Sequence, residues 1–276
     1  MALLLETPTT KADPEGADRA VAGGRPNPSW RRAAVRLASL AAIVAAWWLT
    51  SLVADPQVLP SPARVATLAL EETRSGQLWH HVSATLLRVA AAFAVAMAVG
   101  GALGLLMGRR PAADRLLDGP VVFLLNVPAL VVIVLAYLWI GLNEWAALAA
   151  VALNKIPLVA VTLREGARAL DPALDEVGRL YPFGAVGRWR HVHGPQLAPF
   201  LAAAARNGLA TIWKIVLVVE FLGRPNGVGF QIQLHFQLFD VGHVLVYALA
   251  FTAVMLAVEY ALLQPWERRA NRWRKP

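Results

Sequence analysis

The chain has 276 residues, 57% hydrophobic and 16% charged, with a formal net charge of +8 and no cysteine. That balance belongs to an integral membrane protein and excludes disulfides, thiolate metal sites and a cysteine nucleophile. In a soluble protein the positive charge would suggest nucleic acid, but here Lys and Arg cluster at the ends of hydrophobic stretches, which points to membrane topology.

Residues 1–30 are polar with several Pro and Gly, the composition of a disordered cytoplasmic tail. Met1 to Leu5 is too short for a signal-peptide core. Arg25, Arg31, Arg32 and Arg36 precede a first span at about 35–54, which reads as an uncleaved anchor with its N-terminus inside. Leu59-Pro60-Ser61-Pro62 is a stiff turn, and 63–73 forms a short amphipathic helix at the outer surface. In the second span, about 84–107, Ala92, Ala96, Gly100, Gly104 and Gly108 recur every fourth residue. They make one smooth face that lets another helix approach closely. Gly108-Arg109-Arg110-Pro111 with Arg115 is a short basic loop, hence cytoplasmic. The third span, about 120–142, is interrupted by Asn126 and Pro128. A kinked span must find partners for its freed carbonyls inside the protein, so these two residues are candidates for lining a path. Asn143-Glu144 is an outer turn. The fourth span, about 145–163, carries Asn154, Pro157 and a central Lys155, which costs roughly 2.5–3.5 kcal/mol to insert, so it must lean on its neighbours.

The longest polar interruption of the second half runs from Arg164 to Phe200. Asp171-Pro172 starts a helix, with Asp175 and Glu176 in its first turns where the helix dipole favours negative charge. Tyr181-Pro182 ends it and Phe183-Gly184 turns the chain. A second short helix, 185–193, sets Val186, Trp189 and Val192 or His193 on one side before Gly194-Pro195 stops it. Such a compact helix–turn–helix with an apolar stripe reads as a docking surface for a soluble partner. The fifth span, about 198–222, holds Arg206, Asn207, Lys214 and Glu220. Lys155 and Lys214 lie at similar depth: either they form a two-cation site for an anion, or each pairs with Glu220 or snorkels to an interface. In the outer loop 223–242, Phe230, Ile232, Leu234, Phe236 and Leu238 alternate with the period of a strand. A sixth span at about 243–263 precedes the basic tail Arg268, Arg269, Arg272, Arg274 and Lys275, the expected partner of Glu259. Six spans put both termini and the docking loop on one side, with 19 of the 26 Lys and Arg. No phosphate-binding G-x-x-x-x-G-K-[ST], H-E-x-x-H or G-x-S-x-G occurs. His80-His81 and His191-x-His193 read as interfacial or docking residues.

The docking loop resembles the cytoplasmic motif of permease subunits of bacterial ATP-binding-cassette importers: Glu-Ala-Ala, three residues, Gly, nine residues, Ile, one residue, Leu-Pro. Glu176 stands for the Glu, Val177 and Gly178 for the Ala pair, Pro182 for the Gly, Val192 for the Ile, and Gly194 and Pro195 for Leu-Pro. Pro182 departs from the motif's turn Gly, and Gly184 supplies the missing flexibility. The Leu-Pro-Ser-Pro turn resembles the nitrate, sulfonate and taurine branch, and Trp139-Ile140-Gly141-Leu142 and Val219-Glu220-Phe221-Leu222-Gly223 fit as well. The resemblance implies an all-α type I importer permease fold in the bacterial inner membrane and a short gate helix, not a strand, in the last outer loop. It makes the docking loop a coupling helix, with Asp175 and Trp189 among the ATPase-facing residues, and leaves Asn126, Pro128, Lys155, Lys214 and Glu220 as translocation-path candidates. No cofactor is expected in this chain: ATP and Mg belong to a partner ATPase dimer. A second permease copy, an extracytoplasmic solute-binding protein and membrane lipids complete the expected partners, with no nucleic acid. The expected organisation is a tail at 1–30, the first span with its outer segment at 31–79, a core at 80–264 with the coupling loop at 164–197, and a basic tail at 265–276. The expected cargo is a small anion such as a sulfonate, taurine or nitrate, with a vitamin precursor such as a thiamine-pathway pyrimidine as the alternative. An ion-coupled secondary transporter is the rival function.

Overall fold

The computed structural model describes residues 29–174, 176 and 184–270, and every described element is helical. The chain forms two units, 1–49 and 50–276. The first carries most of α1 (Ser29–Ser51), whose apolar part, Leu37–Ser51, falls short of the roughly 20 residues a crossing needs.

In the second unit, Ser61 caps α2 (Pro62–Arg74), accepting from the Arg64 N–H, with Pro62 in the first turn, one residue before the predicted helix start. Buried Val65 and Leu68 seat α2 against α9 (Val241–Val258). The α3 helix (Gln77–Arg109) continues almost directly into α4 (Pro111–Asn126). The expected basic loop therefore shrinks to Arg110, and Arg115 lies on a helix.

Four helices are long and apolar enough to span a bilayer among the described residues, and a fifth span results if α4 and α5 (Ala129–Ile140) count as one. The expected number was six. The α4–α5 pair turns through 98°, far sharper than a kink. Pro128 drives Val127 into extended backbone (φ −73°, ψ 126°). The Asn126 side chain donates to the Val122 carbonyl at 2.8 Å, closing the last turn of α4. The Pro128 carbonyl accepts from Val131 and Val132, starting α5 afresh.

Asn143 caps α6 (Glu144–Arg168) through the Ala146 N–H. This helix is the centre of the unit, touching α3, α4, α5 and α7 (Gly194–Gly223). Its contact with α3 follows the small-residue stripe. A β-carbon on Gly100 would sit 2.7 Å from the Ile156 carbonyl, one on Gly104 would collide with the Ala160 carbonyl, and one on Gly108 would sit 2.7 Å from the Arg164 carbonyl. Backbone meets backbone here, so no side chain can yield. Toward α4, Arg164 pairs with Asp118 (2.5 Å) and Arg168 with Asp114 (2.6 Å).

One expectation about a helix end is corrected. Gly194-Pro195 does not stop the short helix Ala185–Arg188; one helix of 38 residues runs from Val186 to Gly223. Pro195 lacks an N–H and its ring crowds the preceding turn, and a π-helical segment, Trp189–His193, widens that turn to accommodate it. There the Gly194 N–H reaches the Trp189 carbonyl five residues back. The alternating stretch of the last loop is α8 (Val228–Gln237), as the family resemblance and not the period implied. α8 ends in a Schellman motif: Asp240 N–H donates to the His235 carbonyl (2.9 Å) and Phe239 N–H to the Phe236 carbonyl (3.2 Å). Phe239 holds the left-handed position usually given to Gly, at φ 57°, and its side chain is exposed.

Gly104→Val should leave little folded protein, while Gly101→Ala, with open space around it, should fold normally; size-exclusion profiles in detergent compare the two. Phe239→Gly should raise stability by about 1 kcal/mol by removing the β-carbon penalty of the left-handed region, measured by thermal unfolding in detergent.

Candidate functional site

Glu220, three residues from the end of α7, is the one path candidate that the structure places in a built site. Its side chain has no exposed surface. One carboxylate oxygen accepts from the Arg88 guanidinium of α3 at 2.7 Å. The other accepts from the Thr85 hydroxyl and from the Gly229 N–H of α8, both at 2.9 Å. Gly227 (φ 113°) and Gly229 are required here, because a β-carbon on either would strike Glu220.

Arg88 is fully committed. It forks onto Glu144 of α6 (2.6 and 2.9 Å) and also donates to the backbone carbonyl (2.9 Å) and side-chain oxygen of Asn226. Arg224 donates to Glu144 at 2.6 Å and to the Leu142 carbonyl at 3.1 Å. Two guanidinium groups thus face two carboxylates, and the cluster is neutral. Around it, the Thr85 hydroxyl accepts from Val228 N–H (2.8 Å), and His81 Nδ1 accepts from Gly227 N–H (3.1 Å). The His81 proton then sits on Nε2, 2.6 Å from the Gln231 side-chain amide, which accepts it when turned to present its oxygen. Tyr137 of α5 donates to the Val219 carbonyl at 2.8 Å. The network joins α3, α5, α6, α7 and α8 at one end of the bundle. An open recess of about 420 Å³, lined by Arg88, Glu144, Trp145 and Asn226, lies beside it.

The other path candidates lie elsewhere. Neither Lys155 nor Lys214 pairs with Glu220, because Arg88 occupies that position. Lys155 is half-buried on α6, with no hydrogen bond or ion pair to any described residue. Lys214 is exposed, its ammonium 5.6 Å from the Trp213 ring centre. Asn126 and Pro128 are exposed at the α4–α5 break. Glu259 faces Arg206 of α7 at 3.8 Å; most of the basic tail expected to pair with it lies outside the described residues. Arg88, Thr85 and Asn226 are not singled out by the sequence, and His81 is read there only as an interfacial or docking residue. The available signal was the charge balance: Arg88 is the cation that a buried Glu in a neighbouring span requires.

Of the docking loop, Asp175, Val177, Gly178 and Pro182 lie outside the described residues. Asp171 caps as expected, accepting from Ala173 N–H at 2.9 Å, and its own N–H reaches Gln196 Oε1 at 2.9 Å. Glu176 is helical and exposed. Gly184 is not in the left-handed region and a β-carbon there meets nothing, so the turn does not demand Gly. Val186 is 81% exposed and Trp189 42% exposed, apolar surface presented outward. Val192 and Gly194 are half-buried and Pro195 is exposed. The Arg109 guanidinium at the end of α3 lies 5.4 Å from the Trp189 ring centre, a cation–π contact bracing the segment. Beside it opens a recess of about 530 Å³ lined by Arg109, Leu170, Pro172, Arg188 and His193.

Residues 100–264 match the family described as "Binding-protein-dependent transport system inner membrane component". The chain is 31% identical over 233 residues to an Escherichia coli "Putative aliphatic sulfonates transport permease protein", covering 84% of this chain and 88% of that one. It is 24% identical over 255 residues to the Escherichia coli "Taurine transport system permease protein", covering 89% and 92%. Among solved structures it resembles an amino acid ABC transporter chain, with a TM-score of 0.54, 20% identity, and coverage of 72% of this chain and 97% of that one. At that identity the likeness shows the fold alone, that of an importer permease.

Glu220→Ala leaves the guanidinium groups of Arg88 and Arg224 sharing one carboxylate, Glu144, and should destabilise the protein by about 3–5 kcal/mol. Replacing Glu220 and Arg88 both with Met should cost less than the sum of the two single changes, as a double-mutant cycle by thermal unfolding in detergent would read.

Proposed function

The chain belongs to the binding-protein-dependent transport system inner membrane components, the permease subunits of ATP-binding-cassette importers, and on that premise we propose that it carries an organic sulfonate of the aliphatic or taurine type. It is a transport subunit and not an enzyme. The cargo reading rests on the names of the two curated relatives. A separate ATPase, using ATP and Mg, drives the cycle, and an extracytoplasmic binding protein delivers the cargo. A second copy of this chain completes the pathway, and both termini and the docking segment face the ATPase side.

The observation that carries the coupling mechanism is the continuity of Val186–Gly223. Its exposed end, with Val186 and Trp189, joins the span that ends in Glu220 with no flexible joint. Roughly 57 Å of helix at 1.5 Å per residue moves as one lever. ATPase closure on Glu176, Trp189, Val192 and Pro195 therefore tilts the far end, where the Arg88–Glu220 network ties it to four other helices. Lys155, half-buried and without a carboxylate partner, is the cation on the path best suited to a sulfonate. The ion-coupled rival would use Lys155, Lys214 and Glu220 as coupling groups, and of these Glu220 is already neutralised by Arg88.

An ATP-binding-cassette ATPase should co-purify with the intact chain in mild detergent and be lost when 171–195 is deleted from a variant that still reaches the membrane. Uptake that continues without ATP and collapses with the ion gradient would instead favour the rival. Lys155→Ala should raise the KM for sulfonate uptake about tenfold, the loss of one charge-assisted hydrogen bond of roughly 1.5 kcal/mol. Unchanged kinetics would make Lys155 a packing residue, and competition by a vitamin precursor but not by taurine would replace the cargo.

A further inference from the structure

The Schellman turn between α8 and α9 gathers side chains that the transport reading does not use. His235 ends α8, Asp240 caps α9, and His243 lies in the first turn of α9. Their ligand atoms all lie within 4.8 Å of one another. Asp240 Oδ2 is 2.6 Å from His243 Nδ1 and 3.6 Å from His235 Nδ1. Two bonds of 2.0–2.1 Å at a tetrahedral angle would set such atoms roughly 3.3 Å apart, between the two values, so an ion would draw His235 slightly inward and open the Asp240–His243 hydrogen bond. His235 Nδ1 is sealed from solvent, and among the described residues it meets only Asp240 Oδ2, at 3.6 Å, just beyond hydrogen-bond distance. A buried ring nitrogen in that condition calls for a ligand.

We propose that His235, Asp240 and His243 bind one divalent transition-metal ion, clipping α8 to α9. Imidazole nitrogens with a carboxylate select zinc, nickel or copper over calcium or magnesium. Glu72 of α2 stands behind the site. Its carboxylate lies 3.8 Å from His243 Nε2 and accepts from the Tyr247 hydroxyl at 2.5 Å, so a small shift of the ring would let it orient a metal-binding imidazole. The two rings stack 4.5 Å apart and 9° from parallel, so one must swing to point its lone pair at the ion. The recess beside them, about 390 Å³ and lined by Asp240 and His243, provides the room and the entry. Burial, with the neighbouring His243 second, holds His235 below the ordinary histidine value. Burial pushes Asp240 upward, but the His243 backbone N–H and ring outweigh it and hold the carboxyl below its usual range.

The test is titration of the full, tag-free chain in detergent with Zn²⁺ alone. One Zn²⁺ per chain is expected, weakened at least about tenfold by His243→Ala and by Asp240→Asn, which keeps the helix cap, and unaffected by His191→Ala. In the unmodified chain, Zn²⁺ should shield His235 and His243, but not His80, from diethyl pyrocarbonate, read peptide by peptide by mass spectrometry. That second measurement decides the matter if the variants fail to fold. Absence of saturable binding, or shielding confined to other histidines, would overturn the site and leave a structural His–Asp stack.

Discussion

A carboxylate with no exposed surface in a membrane span survives only if its charge and lone pairs are all matched, and Glu220 meets that condition by drawing four helices around itself. Arg88 supplies the charge, Thr85 a hydroxyl and Gly229 a backbone N–H. These demands explain the rest of that end of the bundle. Asn226 and Gly227 must turn tightly enough to bring α8 onto α7, and only Gly fits at 227 and 229. Glu144 must sit at the start of α6 to satisfy the remaining donors of Arg88 and Arg224. Because the pairs cancel, the cluster fixes geometry without offering charge to a solute.

At the other pole the constraint is steric. The α3 stripe lets its backbone rest on α6, so these two helices form a spine that tolerates no larger residue at Gly100 or Gly104. Acidic residues of α4 then hold Arg164 and Arg168 of α6. Between spine and network, the α4–α5 pair turns away at Pro128, exposing Asn126 and an apolar groove of about 500 Å³ bordered by Phe123, Val131, Trp139 and Leu153.

The transport reading joins these two poles through one helix. A π-helical turn is the device that lets Pro195 lie inside a helix without breaking it. Had the helix ended there, as the Gly-Pro pair suggests, motion of the docking segment would dissipate in a joint. Continuity makes the same motion a displacement of the Glu220 end.

Sequence alone determined that the chain is helical and membrane-embedded, because hydrophobic runs and the placement of Lys and Arg are local properties. It also determined the α3 stripe, whose four-residue period is visible in one helix, and the cap at Asp171, which needs only neighbouring residues. The break at Pro128 was legible, but its 98° angle was not, since the angle depends on what α4 and α5 each pack against. Tertiary structure decided the partner of Glu220, because Arg88 is 132 residues away and both Lys155 and Lys214 were equally plausible by charge. It decided that 228–237 is a helix in spite of a strand-like period, since α8 must donate Gly229 N–H to Glu220 and seal both faces against α7 and α9. The stacking of His235 on His243 was likewise beyond any local pattern, because it arises only where the Phe239 turn folds the end of one helix back onto the start of the next.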